Sequence, residues 1–146
     1  MLPMAHATAK ADKKEVQDVR PVVFLHGIFG STLIDPKSAG ETRYITASAS
    51  LGFHTPDIRL PIEWEDGKQK TDGLLPGQVI ESVGPVNVYG KFLNFLRKTF
   101  GKDLVHPFAY DWRRDNRESR DSLIKKLEEI NSKQGKPIVI GHSNGG

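Results

Sequence analysis

The sequence predicts an α/β fold, with a mostly parallel sheet, flanking helices and one long irregular excursion. Three observations predict it. Two short, continuously apolar runs each end in a glycine motif, at residues 21–27 and 137–141. Between them lie two segments with helical periodicity. Strand, helix, strand, helix, strand is the order that right-handed crossovers turn into a parallel sheet.

Pro21-Val22-Val23-Phe24-Leu25 has no polar alternation, as expected of a strand covered on both faces. Residues 28–86 hold most of the Pro, Gly, Ser and Thr, with scattered aromatics such as Tyr44, Phe53 and Trp64. They read as a lid or excursion with one or two short strands. Phe53 and Trp64 suit either a lid that meets an apolar substrate or packing onto the body. Tyr89, Phe92, Leu93, Leu96 and Phe100 then repeat at helical spacing, with Asn87 as the expected cap and Gly101 as the stop. Residues 104–110 form the second expected strand. Asp115 and Glu118 have the spacing of a capping box ahead of an apolar face made by Leu123, Ile124, Leu127 and Ile130, and Gly135 ends that helix. The pairs Arg114/Glu118, Arg117/Asp121 and Asp121/Lys125 suit a solvated helix face. Residues 137–140 are the third buried strand.

Composition narrows the function classes. A net charge of +3, with basic and acidic residues interleaved, gives no reason to expect a nucleic-acid partner. No apolar run is long enough to span a membrane. Residues 1–19 are polar and read as a flexible arm ahead of a domain covering 20–146. Lys10, Lys13 and Lys14 alternate there with Asp12, Glu15 and Asp18, unlike a secretory signal, so a cytoplasmic location is favoured. The absence of cysteine excludes a thiol nucleophile and Cys-ligated metal, and the five histidines are scattered. No metal or cofactor is expected. The oligomeric state is not encoded in any feature of the sequence.

The chemistry is concentrated in three motifs. Gly141-x-Ser143-x-Gly145 after an apolar strand is the nucleophile-elbow pattern. The turn from strand to helix is tight, and glycine removes side chains that would strike neighbouring backbone. Ser143 is therefore the expected nucleophile, and the Asn144 amide an expected oxyanion donor. His26-Gly27-Ile28-Phe29-Gly30 follows the first strand. Its Ile28 amide is the expected second donor, with Phe29 as the alternative. A phosphate loop is excluded because no Gly-Lys-Ser/Thr follows. His26 is expected to brace the loop, and His142 to turn away from Ser143. Tyr110-Asp111-Trp112-Arg113 is the third motif. Asp111 and Arg113 there suit a brace for the loop after the strand, or else substrate contacts.

The three blocks Pro21-Val22-Val23-Phe24-Leu25-His26-Gly27-Ile28-Phe29-Gly30-Ser31, Tyr110-Asp111-Trp112-Arg113 and Gly141-His142-Ser143-Asn144-Gly145-Gly146 occur in an order that resembles the lecithin:cholesterol acyltransferase-like lipases and acyltransferases. These belong to the α/β-hydrolase fold. Residues 72–90 also resemble the corresponding region of that family. The resemblance implies that Ser143 is acylated by a lipid or other apolar ester, with Ile28 and Asn144 as oxyanion donors. The acyl group then passes to water in an esterase, or to an alcohol in an acyltransferase. In the family, the triad acid and histidine follow the elbow. The sequence is accordingly expected to be the N-terminal part of such a domain, active in the intact protein and inactive as this chain alone. The rival reading is a non-catalytic module that keeps the fold.

Overall fold

The computed structural model describes residues 19–61 and 63–146. The expected arm, residues 1–19, therefore lies outside the described residues except for Val19. Ten strands and three α-helices follow in order: β1 (Val22–Leu25), β2 (Ser31–Asp35), β3 (Glu41–Tyr44), the single turn α1 (Ala47–Ser50), β4 (Trp64–Glu65), β5 (Lys68–Gln69), β6 (Leu75–Val79), β7 (Ser82–Val83), β8 (Val86–Asn87), α2 (Gly90–Phe100), β9 (Val105–Phe108), α3 (Asn116–Gln134) and β10 (Ile138–Gly141).

The two apolar runs and the strand between them form one three-stranded sheet in the order β10-β1-β9, with both pairings parallel. β1 is central, so Val22, Val23 and Phe24 are buried on both faces, as their unbroken apolar run requires. Pro107 has no N–H to give a ladder, and it is tolerated because β9 is an edge strand. β10 is the other edge, where Val139 is exposed. Leu93 and Leu96 of α2 pack on Val22, Phe24 and Val105 to make the main core.

The expectation of a mostly parallel α/β-hydrolase core is overturned here. Among the described residues the parallel sheet has only three strands, and the other three sheets are antiparallel: β3-β2-β6, β4-β5 and β7-β8. Among the described residues, only α2 and α3 exceed a single turn of α-helix. The architecture is a small mixed one. The cause lies in the segment read as irregular, which instead contains seven strands. Its turns are the local signals that make hairpins. Asp66 and Gly67 both have positive φ, 52° and 74°, the conformation that Asp-Gly supplies between two paired strands. Ala39 and Gly40 turn the chain between β2 and β3 in the same left-handed region.

Smaller corrections concern the helix ends. α2 begins at Gly90 rather than just after Asn87, although the Asn87 side chain still accepts a hydrogen bond from the Lys91 amide at 3.1 Å. Asp115 caps α3 by accepting from the Arg117 amide at 2.9 Å. The capping box stays half-formed, because Glu118 pairs with Arg114 at 2.6 Å instead. Arg114 with Glu118 is one of the expected i,i+4 pairs; Arg117 pairs with Asp115, and Asp121 with Arg120, in place of the other two. No helix among the described residues is long and apolar enough to cross a membrane.

Candidate active site

Parallel pairing of β1 with β10 brings the His26-Gly27 loop and the Gly141–Gly145 turn to the same end of the sheet. The His142 amide extends the ladder by donating to the Leu25 carbonyl at 3.0 Å. The chain then turns abruptly. Ser143 has φ of +54°, a left-handed conformation that costs a residue with a side chain energy, and it is solvent-exposed. A short 3-10 turn follows, closed by bonds from the Gly145 amide to His142 and from the Gly146 amide to Ser143.

The glycines are there because no side chain fits. A Cβ at Gly145 would stand 2.6 Å from the carbonyl oxygens of both Leu25 and His26, and one at Gly141 would collide with the Gly145 carbonyl. A Cβ at Gly27 would lie 3.0 Å from the Cβ of Ser143 and 3.0 Å from Nδ1 of His142. Gly27 is thus where the loop and the elbow meet. Phe29, next along the loop, is also left-handed at φ 64°. The amides of Ile28, Phe29 and Asn144 donate to no acceptor among the described residues. The Gly27 amide, in contrast, is taken up by the Tyr89 hydroxyl at 3.0 Å.

Neither neighbouring histidine is free to act as base. His26 is fully buried and stacks on Tyr110 with ring centroids 4.3 Å apart. Its Nε2 receives the Tyr110 amide at 3.3 Å, so Nδ1 carries the proton and donates to the Gly27 carbonyl at 2.8 Å. Burial lowers its pKa, against a smaller opposing effect of that carbonyl bond. His142 is exposed, and its Nδ1 lies 2.8 Å from the Tyr89 hydroxyl. Among the described residues, no hydrogen bond joins Ser143 Oγ to a histidine. Asn144 is held by its side chain, which donates to the Tyr110 hydroxyl and to Asn116 Oδ1, each at 3.2 Å.

Asp111 and Arg113 form the brace. The Arg113 side chain is 5% exposed and binds Asp111 at 2.7 Å, Asp72 at 2.5 Å and the Ile58 carbonyl at 2.8 Å. Burial alone would lower its pKa, but the two carboxylates outweigh that and raise it. Trp112 donates to the Ser31 carbonyl at 3.2 Å and carries Phe29 on its ring at 4.4 Å. Phe53 and Trp64 are 80% and 65% exposed and do not pack the excursion onto the body.

The residues that sequence reasoning missed are Tyr89, Tyr110, Asn116 and Asp72. Tyr89 reads as one more apolar position of a helix, and its hydroxyl partner Gly27 is 62 residues away in sequence, so no local signal marks it. An apolar cleft of about 420 Å³ opens beside the loop, walled by Ile28, Phe29, Leu51, Val86, Val88 and Tyr89. That size falls within the range of small-molecule sites. Among the described residues, no cluster of His, Asp and Glu is arranged to hold a metal ion.

No protein-family model matches the chain, and no solved structure matches it. It is similar to the Uncharacterized protein YJR098C of Saccharomyces cerevisiae, with 30% identity over 128 residues, or 86% of this chain. The chain spans 19% of the length of that yeast protein.

Proposed function

We propose that the chain carries the nucleophile and oxyanion side of a serine ester hydrolase acting on apolar acyl esters. One observation carries the reading. Ser143 is exposed in a left-handed conformation, on a turn whose flanking glycines admit no side chain, against a loop with unoccupied amides. Strain of this kind persists where surrounding structure enforces it, and it concentrates at functional sites. The motif resemblance to lecithin:cholesterol acyltransferase-like enzymes supports the same reading, and the apolar cleft beside Ile28 and Phe29 suits an acyl chain.

In this mechanism Ser143 Oγ attacks the ester carbonyl as its proton passes to a base. The carbonyl oxygen becomes an oxyanion held by the amides of Asn144 and of Ile28 or Phe29. One such donor is commonly worth about 3 kcal/mol in the transition state. Collapse expels the alcohol with the proton, and water then releases the acid from the acyl-enzyme. His26 has both ring nitrogens engaged by other groups and His142 has its Nδ1 engaged, so neither of them is assigned as the base.

The test is Ser143→Ala in the full-length protein, assayed on an activated medium-chain ester. Turnover is expected to fall by about four to six orders of magnitude with the fold unchanged. Turnover within about tenfold of wild type contradicts the proposal.

A further inference from the structure

Two tyrosine hydroxyls join the His26-Gly27 loop to the elbow, one on each side of Ser143. Tyr110 donates to the His26 carbonyl at 2.7 Å and receives the Asn144 side chain at 3.2 Å. Tyr89 receives the Gly27 amide at 3.0 Å and meets His142 Nδ1 at 2.8 Å. Since its oxygen already accepts from Gly27, its own proton is available to donate to His142 Nδ1. The ring is fixed edge-on to Phe24 at 5.0 Å, and the Tyr89 amide is tied to the Ile80 carbonyl at 3.2 Å. Tyr110 is buried, whereas Tyr89 is half-buried and also walls the apolar cleft.

We infer that Tyr89 is a positioning residue, whose hydroxyl locks the Gly27 loop to the His142-Ser143 turn and holds the Ile28 and Phe29 amides beside the nucleophile. The bridge also withdraws the Gly27 amide from the oxyanion site, leaving that role to the amides that follow it. The inference rests on the serine-hydrolase reading, because only then does the spacing of the two loops set a rate. Tyr89 touches no reacting atom. Its loss is therefore expected to change turnover rather than substrate binding.

The experiment compares Tyr89→Phe, His142→Ala and the double variant in the full-length protein, with Ser143→Ala alongside. Tyr89→Phe keeps the ring against Phe24 and in the cleft wall and removes only the bridge. Its kcat is expected to fall about tenfold with KM unchanged, and the Gly27 amide is expected to exchange with solvent faster. His142→Ala is expected to lower kcat in the same way, and the double variant to be no worse than the poorer single one, since one bridge is lost in each case. A wild-type kcat in Tyr89→Phe while Ser143→Ala is dead overturns the role of Tyr89 and leaves the hydrolase reading standing. Effects that multiply in the double variant also overturn it, and so does a raised KM with kcat unchanged. If Ser143→Ala keeps turnover, the hydrolase reading fails, and unchanged Gly27 exchange in Tyr89→Phe then refutes the bridge by itself. Should Tyr89→Phe not fold, His142→Ala with wild-type kcat and wild-type Gly27 exchange overturns the bridge from its other end.

Discussion

The end of the parallel sheet and the antiparallel excursion are built on opposite terms. At the sheet end the glycines are pressed from close by: Gly145 sits against the carbonyl oxygens of Leu25 and His26, and Gly27 against the side chains of His142 and Ser143. In the excursion, Gly77 of β6 has the Thr32 side chain against it, but Gly40, Gly52, Gly67 and Gly84 have open space around the position of a Cβ and serve only their left-handed turns. The excursion is fastened instead by a strip of side chains after β9. Arg113 reaches Ile58 and Asp72, Arg114 reaches the Gln69 carbonyl at 2.8 Å, and Trp112 reaches Ser31. The elbow is thus specified by excluded volume, and the excursion is held to the body by a few long-range polar anchors. Each region should therefore break by its own kind of substitution.

The largest stability loss is expected from Arg113→Met. It strands the buried Asp111 carboxylate and the half-buried Asp72 without a counter-charge, at a cost of about 3 kcal/mol in chemical denaturation. Arg113→Lys should recover little, because an ammonium cannot serve two carboxylates and a carbonyl in that fork. Amides of residues 31–79 should lose exchange protection while those of β1 and β10 keep theirs. Loss of protection at β1 and β10 first would mean that the strip holds the whole molecule.

Gly145→Ala comes next, at about 2–3 kcal/mol, since the atoms it meets are backbone and cannot swing aside. It should also cost the elbow its shape, with loss of any Ser143-dependent turnover. Gly84→Ala, with nothing to strike, should cost only the left-handed conformation, about 1 kcal/mol. Equal losses at the two glycines would refute the distinction between the regions.

The smallest effect is a pH dependence at the loop. Burial lowers the folded-state pKa of His26 below its ordinary value of 6.5, so the unfolded chain takes up its proton first as pH falls. Stability is expected to be full above about pH 6.5 and to decline below it, no faster than about 1.4 kcal/mol per pH unit for one proton. The thermal midpoint of wild type should fall between pH 7.5 and 5.5, and that of His26→Gln should change less. An equal fall in both would assign the effect to another group.

What the sequence made legible follows the same division. β1, β10 and both long helices are readable because each is a continuous apolar run or a long periodic stretch with its own stop signal, whereas β9, which contains His106 and Pro107, is readable mainly from its place between the two helices. The elbow was readable because excluded volume leaves glycine as the only option. The excursion reads as irregular from sequence. Its strands are two to five residues long, and their pairing depends on partners such as Val79 with Ser31, far apart in sequence. Asp66-Gly67 was a local turn signal in plain view, but strands of two residues on either side gave it no alternation to frame. The tyrosine bridges were invisible for a different reason. An aromatic at helical spacing announces its ring, while the use of its hydroxyl is decided by what folds against it.

On the proposed mechanism Ser143 is a nucleophile whose hydroxyl is held out to an ester beside prepared amides. The most direct measurement is treatment of the full-length protein with a fluorophosphonate, followed by peptide mass spectrometry. One covalent adduct is expected, on Ser143, absent in Ser143→Ala and formed more slowly in Tyr89→Phe. Folded protein that forms no adduct, or an adduct on another residue that persists in Ser143→Ala, would contradict it.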